Sequence, residues 1–147
     1  FILFLLFLQV ARAADQQKEL TWTDKTSLLN DLSLSLYVGT PLQEVILKID
    51  NTKDWTAIKA TECTSCLSPQ FDKSASSTYV EVASTAGTNV YDDIIFVGLS
   101  STETLSLDSS GSTAVALMSF YAITDVISTS ADTMPTSGYI GLGRVVQ

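Results

Sequence analysis

From Leu32 onward the chain alternates side-chain character with a period of two, and this limits its fold more than any other feature. Leu32, Leu34 and Leu36 are separated by Ser33 and Ser35, and Gly39-Thr40-Pro41 then breaks the run. Such spacing lines one face of an extended strand, whereas a helix face needs apolar residues three and four apart. A second strand carries Val45, Leu47 and Ile49 on one side and leads to Asp50, and Trp55 to Lys59 reads as a third. Thr78 to Val82, Asn89 to Val97 and Val115 to Ile123 are further strands, separated by Ser/Thr/Gly-rich connections. No stretch shows helical periodicity, so the expected fold class is all-β, without repeats or an internal linker. Asp15 to Leu28 takes no assignment and is compatible with a leader, a propeptide remnant or a first strand.

With 147 residues and 46% hydrophobic content, the chain can bury one core. Eight Lys and Arg against 16 Asp and Glu give a net charge of −8. That balance repels nucleic acid and anionic membranes. The chain has no histidine, which removes Ser/His/Asp and Cys/His nucleophile pairs and the two-imidazole helical metalloprotease motif. Hydrolytic chemistry here would have to run on carboxylates, one of them raised in pKa by burial or by a second carboxylate nearby.

Phe1 to Val10 is an apolar run too short to span a bilayer, and Ala11-Arg12-Ala13 follows as a small-residue cleavage pattern. Residues 1–13 therefore read as a secretory signal peptide, expected to lack its true start, with the domain occupying 14–147. The expectation is a protein of the secretory pathway, secreted or lysosomal/vacuolar, with no membrane attachment after cleavage. That route permits disulfides. Cys63 and Cys66 are the only cysteines, and a local disulfide is the first reading. Zinc would need ligands the chain lacks, and a redox motif would want a strand-to-helix context in place of a Ser/Thr-rich loop.

The segment Tyr37-Val38-Gly39-Thr40-Pro41-Leu42-Gln43, running through a strand to Asp50, resembles the start of the pepsin-like aspartic proteases. In that family Gly-Thr-Pro-x-Gln opens a hairpin and the next strand delivers a catalytic Asp. Trp55, the cysteine pair, Phe71, Ser76-Ser77-Thr78-Tyr79 and Ser137-Gly138-Tyr139-Ile140-Gly141-Leu142-Gly143-Arg144 follow in the family's order. These matches cover most of Leu34 to Arg144. The last one resembles the segment that closes the active-site core of the first lobe. The resemblance implies the N-terminal lobe of a bilobal acid protease, a β-barrel or sandwich-like lobe. It also implies a peptide or protein substrate, a C-terminal lobe as partner, and neither cofactor nor metal. Read alone, the glycine string could suggest a phosphate loop, but its order is reversed and no helix follows.

In the family two Asp residues, one per lobe, share a proton and activate a water. Asp50 holds the first position, and no Asp-Thr-Gly or Asp-Ser-Gly follows to supply the second. The expectation is therefore a chain truncated before its second lobe. Its active-site loop is also altered: the family's Asp-Thr-Gly-Ser is here Asp50-Asn51-Thr52-Lys53. Asn51 replaces a Thr that locks the lobes together. Thr52 replaces a Gly packed under the carboxylate, and Lys53 replaces a Ser that hydrogen-bonds it, so preorganisation suffers. A Lys ammonium beside Asp50 would further favour its charged form and oppose a shared proton. Relatives also place a Tyr in a hairpin over the cleft. Val82 to Asn89 reads as its counterpart, short and without that Tyr, with Tyr79 and Tyr91 at other positions.

An aspartic endopeptidase lobe with weak or no activity is the leading expectation. The alternative is a non-catalytic, secreted, protease-like peptide-binding module. A single lobe completing its dyad across a homodimer, as in retroviral relatives, fits the length but not the bilobal-type motifs. Without those motifs Asp50 would read as an Asx turn ending a strand. Trp55 and Phe71 read as core aromatics, Asp92-Asp93 as a solvated strand face, and Asp108-Ser109-Ser110-Gly111-Ser112 as a hydrophilic turn.

Overall fold

The computed structural model describes residues 21–22, 32–67, 70–83, 86–91, 94–112, 114–127 and 136–143. Its strands are β1 (Thr21–Trp22), β2 (Leu32–Val38), β3 (Gln43–Asp50), β4 (Ala57–Lys59), β5 (Val80–Glu81), β6 (Gly87–Tyr91), β7 (Ile94–Ser106), β8 (Ala114–Val126) and β9 (Gly138–Gly141). The one helical element among the described residues is a 3-10 turn at Lys73–Ala75. The chain is all-β, as the alternation requires. The expected signal peptide lies outside the described residues, and so do Asp92-Asp93 and Arg144.

The strands form one mixed sheet in the order β1-β2-β3-β9-β4-β8-β7-β5, with β6 on β7. It closes on itself where Tyr37 and Val38 of β2 meet Ser106 and Leu105 of β7. The ring β2-β3-β9-β4-β8-β7 is thus a small barrel, which removes the sheet edges that those strands would otherwise expose.

Alternation divides the apolar residues between two sides of the barrel wall. Leu36, Val38, Val45, Leu47, Ile58, Phe71, Phe120 and Ala122 fill one cluster. Ala57, Cys63, Phe96, Ile123 and Tyr139 form a second, with Trp55 and Tyr121 packed against it. Each large side chain buried in this way contributes about 2–3 kcal/mol.

Three expectations about strands are corrected. The segment Asn89–Val97 is divided between two antiparallel strands, since Tyr91 pairs with Ile94 and Asn89 with Phe96. That places the hairpin at β6–β7 and not at Val82–Asn89, so Tyr91 stands at the end of a hairpin strand. The stretch Leu99–Ser106, read as part of a connection, is the second half of β7 and pairs along β8. Its Ser101, Glu103 and Ser106 are buried polar residues, which hid the strand from a search for apolar periodicity.

Candidate functional site

Asp50 is the last residue of β3, and β9 runs parallel beside it in the register Leu47↔Gly138 to Asp50↔Gly141. On its other side β9 pairs antiparallel with β4, Tyr139 opposite Ala57. A strand from the far end of the chain therefore separates two strands that are consecutive in sequence. The connection between those two, Asn51 to Thr56, must pass across the end of β9.

The crossing is made by backbone. Leu142 N–H donates to the Asp50 carbonyl at 2.7 Å, and Gly143 N–H donates to the Lys53 carbonyl at 2.6 Å. Glycine is required there by space. A Cβ on Gly141 would lie 2.3 Å from the Trp55 carbonyl oxygen, and one on Gly143 2.6 Å from that of Lys53. At Gly138 the backbone has φ +150°, and a Cβ would lie 2.1 Å from the Ala57 carbonyl oxygen. Ser137 anchors the start of β9, its N–H donating to the Ile46 carbonyl and its hydroxyl accepting from the Ile46 N–H.

Within the loop, Thr52 donates both its N–H (2.7 Å) and its hydroxyl (2.6 Å) to Asp50 Oδ1. This is an Asx turn closed by a second bond. The hydroxyl donor expected to be lost with Lys53 is thus supplied one position earlier. Asn51 and Thr52 are exposed, while Asp50 and Lys53 are half-buried.

Of the other predicted residues, Tyr139 is fully buried in the second cluster and Ile140 packs against the first. Cys63 and Cys66 form a disulfide. Gln70 Nε2 donates to both cysteine carbonyls, and the Ser65 hydroxyl donates to Asp125 Oδ1 while accepting from the Val126 N–H. The disulfide loop therefore buttresses the end of β8 and the Tyr139 cluster. Asp108 closes a polar turn, accepting from Ser110 and Ser112.

Around Trp55, expected as a core aromatic, the structure gathers Asp54, Phe96, Ser100, Ser119 and Tyr121, which the sequence did not single out. Trp55 packs edge-to-face on Tyr139 (4.8 Å between ring centroids) and Tyr121 (5.6 Å), and tilted on Phe96 (5.4 Å). Beside it lies an open depression of about 220 Å³, lined by Asp54, Trp55, Thr56, Ser100, Ser119, Phe120 and Tyr121. No short motif could have signalled it, because it draws on three separate stretches of chain.

No protein-family model matches this chain, and no curated protein matches it. Among the described residues no helix is long and apolar enough to cross a membrane.

Proposed function

We propose that this chain is the first lobe of a pepsin-like aspartic endopeptidase, with Asp50 as one half of a water-activating carboxylate pair. The observation that carries the reading is the crossing of β9 at the Asp50 loop. The two motifs that resemble the family, Asp50 with its loop and Gly138–Gly143, lie about 90 residues apart yet hydrogen-bond to each other. A resemblance by chance would give no reason for them to meet.

The loop sequence argues for weak chemistry: Asn51, Thr52 and Lys53 replace groups that the family uses to hold the dyad, although Thr52 still fixes the carboxylate. A second carboxylate loop would come from a C-terminal lobe. The reading also places the protein in the secretory pathway, consistent with the disulfide. Sequencing the complete transcript tests it. A frame continuing into a second Asp-Thr-Gly or Asp-Ser-Gly loop is the expected result, and a stop codon directly after Gln147 would count heavily against it.

The second reading, a non-catalytic peptide-binding module of the same fold, is favoured by Lys53 standing at a site-loop position. A transition-state mimic of peptide hydrolysis separates the two. A competent dyad binds the mimic far more tightly than the matching substrate peptide, whereas a binding module shows no such preference.

A further inference from the structure

We propose that the depression beside Asp54 is a docking site for the arginine side chain of an extended peptide. Size narrows the class of ligand first. At about 220 Å³ the space falls below the roughly 300–1,000 Å³ of pockets that enclose whole small molecules, and it suits a single side chain.

Chemistry narrows it further. Asp54 is exposed, and among the described residues its carboxylate has no hydrogen bond or ion pair. The hydroxyls of Ser100, Ser119 and Tyr121 are likewise without partners among the described residues. One carboxylate and three hydroxyl acceptors face a group with many donors and positive charge. The Trp55 and Tyr121 rings, both half-exposed, add surfaces that favour a flat cation. A guanidinium combines these properties, being planar, always charged and rich in N–H donors. The chain's net charge of −8 attracts such a group from a distance.

Chain proximity gives the reason for a peptide. Asp54, Trp55 and Thr56, which line the depression, belong to the same connection that begins at the Asp50 loop. Asp54 follows Asp50 by four residues, so the two are at most about 14 Å apart, roughly the span of four residues of extended peptide. A peptide passing Asp50 would therefore offer a side chain about four residues away to the depression. This direction rests on the peptide reading above, but the arginine site does not need Asp50 to be reactive. Failure of the peptidase assay would leave it standing.

Calorimetric titration of the full chain at low ionic strength tests the site, using a blocked Ala-Ala-Arg-Ala-Ala pentapeptide and its citrulline and norleucine counterparts. The arginine peptide should bind at least about tenfold more tightly than either neutral peptide. Asp54→Asn, at an exposed position with no partners to lose, should keep its circular dichroism and weaken binding about fivefold, with Asp54→Glu restoring most of it. Equal binding of the arginine and citrulline peptides, undiminished binding by Asp54→Asn, or no binding of the arginine peptide would overturn the proposal. Binding of N-acetylarginine amide as tightly as the pentapeptide would overturn its assignment to a peptide.

Discussion

Gly138, Gly141 and Gly143 let two stretches of backbone cross closer than any side chain would allow, and the Asp50 loop depends on that crossing. Replacing Gly141 with Ala forces a methyl group to 2.3 Å from the Trp55 carbonyl oxygen, with the Lys53 carbonyl oxygen and the Trp55 nitrogen both at 2.7 Å. All three are backbone atoms that cannot step aside. Gly141→Ala should therefore cost about 3 kcal/mol or more in urea unfolding. Gly87→Ala is the contrast, since a Cβ there meets nothing within 4 Å, and stability should change by less than about 0.5 kcal/mol. At this scale the sequence was informative: Asp50 and the glycines were visible as motif residues. Their hydrogen bonding was not, nor was the donation from Thr52, because contacts between distant segments leave no local pattern.

The long strand β7 shows why an element can be invisible in a sequence that specifies it well. Its second half buries Glu103 completely, in a stretch where only Ser, Thr and Glu stand between Leu99 and Leu105. Neighbours make the burial possible. The Ser76 hydroxyl donates to Glu103 Oε2 at 2.6 Å, and the Thr78 hydroxyl and Thr104 N–H donate to Oε1 at 2.5 and 2.7 Å. Ser76 Oγ also accepts from the Thr40 N–H at 3.0 Å, so one carboxylate ties the Gly39–Pro41 turn and the 76–78 segment to the barrel. Glu103→Gln keeps the shape but places an NH₂ where an acceptor is needed, and should cost about 2–3 kcal/mol, measured by denaturant unfolding.

The neighbouring 3-10 turn has its own acid sensitivity. The Ser74 hydroxyl holds the Asp72 carboxyl below its ordinary range, opposed by desolvation and helped by the Ala75 and Ser74 N–H groups. A lowered folded-state pKa gives a contribution that is complete above the unfolded value and is lost as pH falls through the folded one. Exchange of the Ser74 and Ala75 amides should therefore lose protection on acidification through that window. In Asp72→Asn the same protection should no longer follow this titration.

As a whole molecule, the chain is a barrel whose closure depends on residues far apart in sequence: β2 on β7, and β9 between β3 and β4. Strand alternation announced the all-β class, but pairing order lies beyond what periodicity can report. The depression beside Asp54 was illegible for the same reason, since the strands that line it meet only in the folded sheet.

Under the proposed function Asp50, held by the β9 crossing, belongs to a carboxylate dyad weakened by its own loop. Acid-pH peptide cleavage by the product of the complete reading frame is the test of that reading. The wild type is compared with Asp50→Asn and with the triple variant Asn51→Thr, Thr52→Gly, Lys53→Ser. Little cleavage by the wild type is expected, with a gain of about a hundredfold in the triple variant that is abolished when Asp50→Asn is added. Cleavage that survives Asp50→Asn, or a folded triple variant as inert as the wild type, would contradict it.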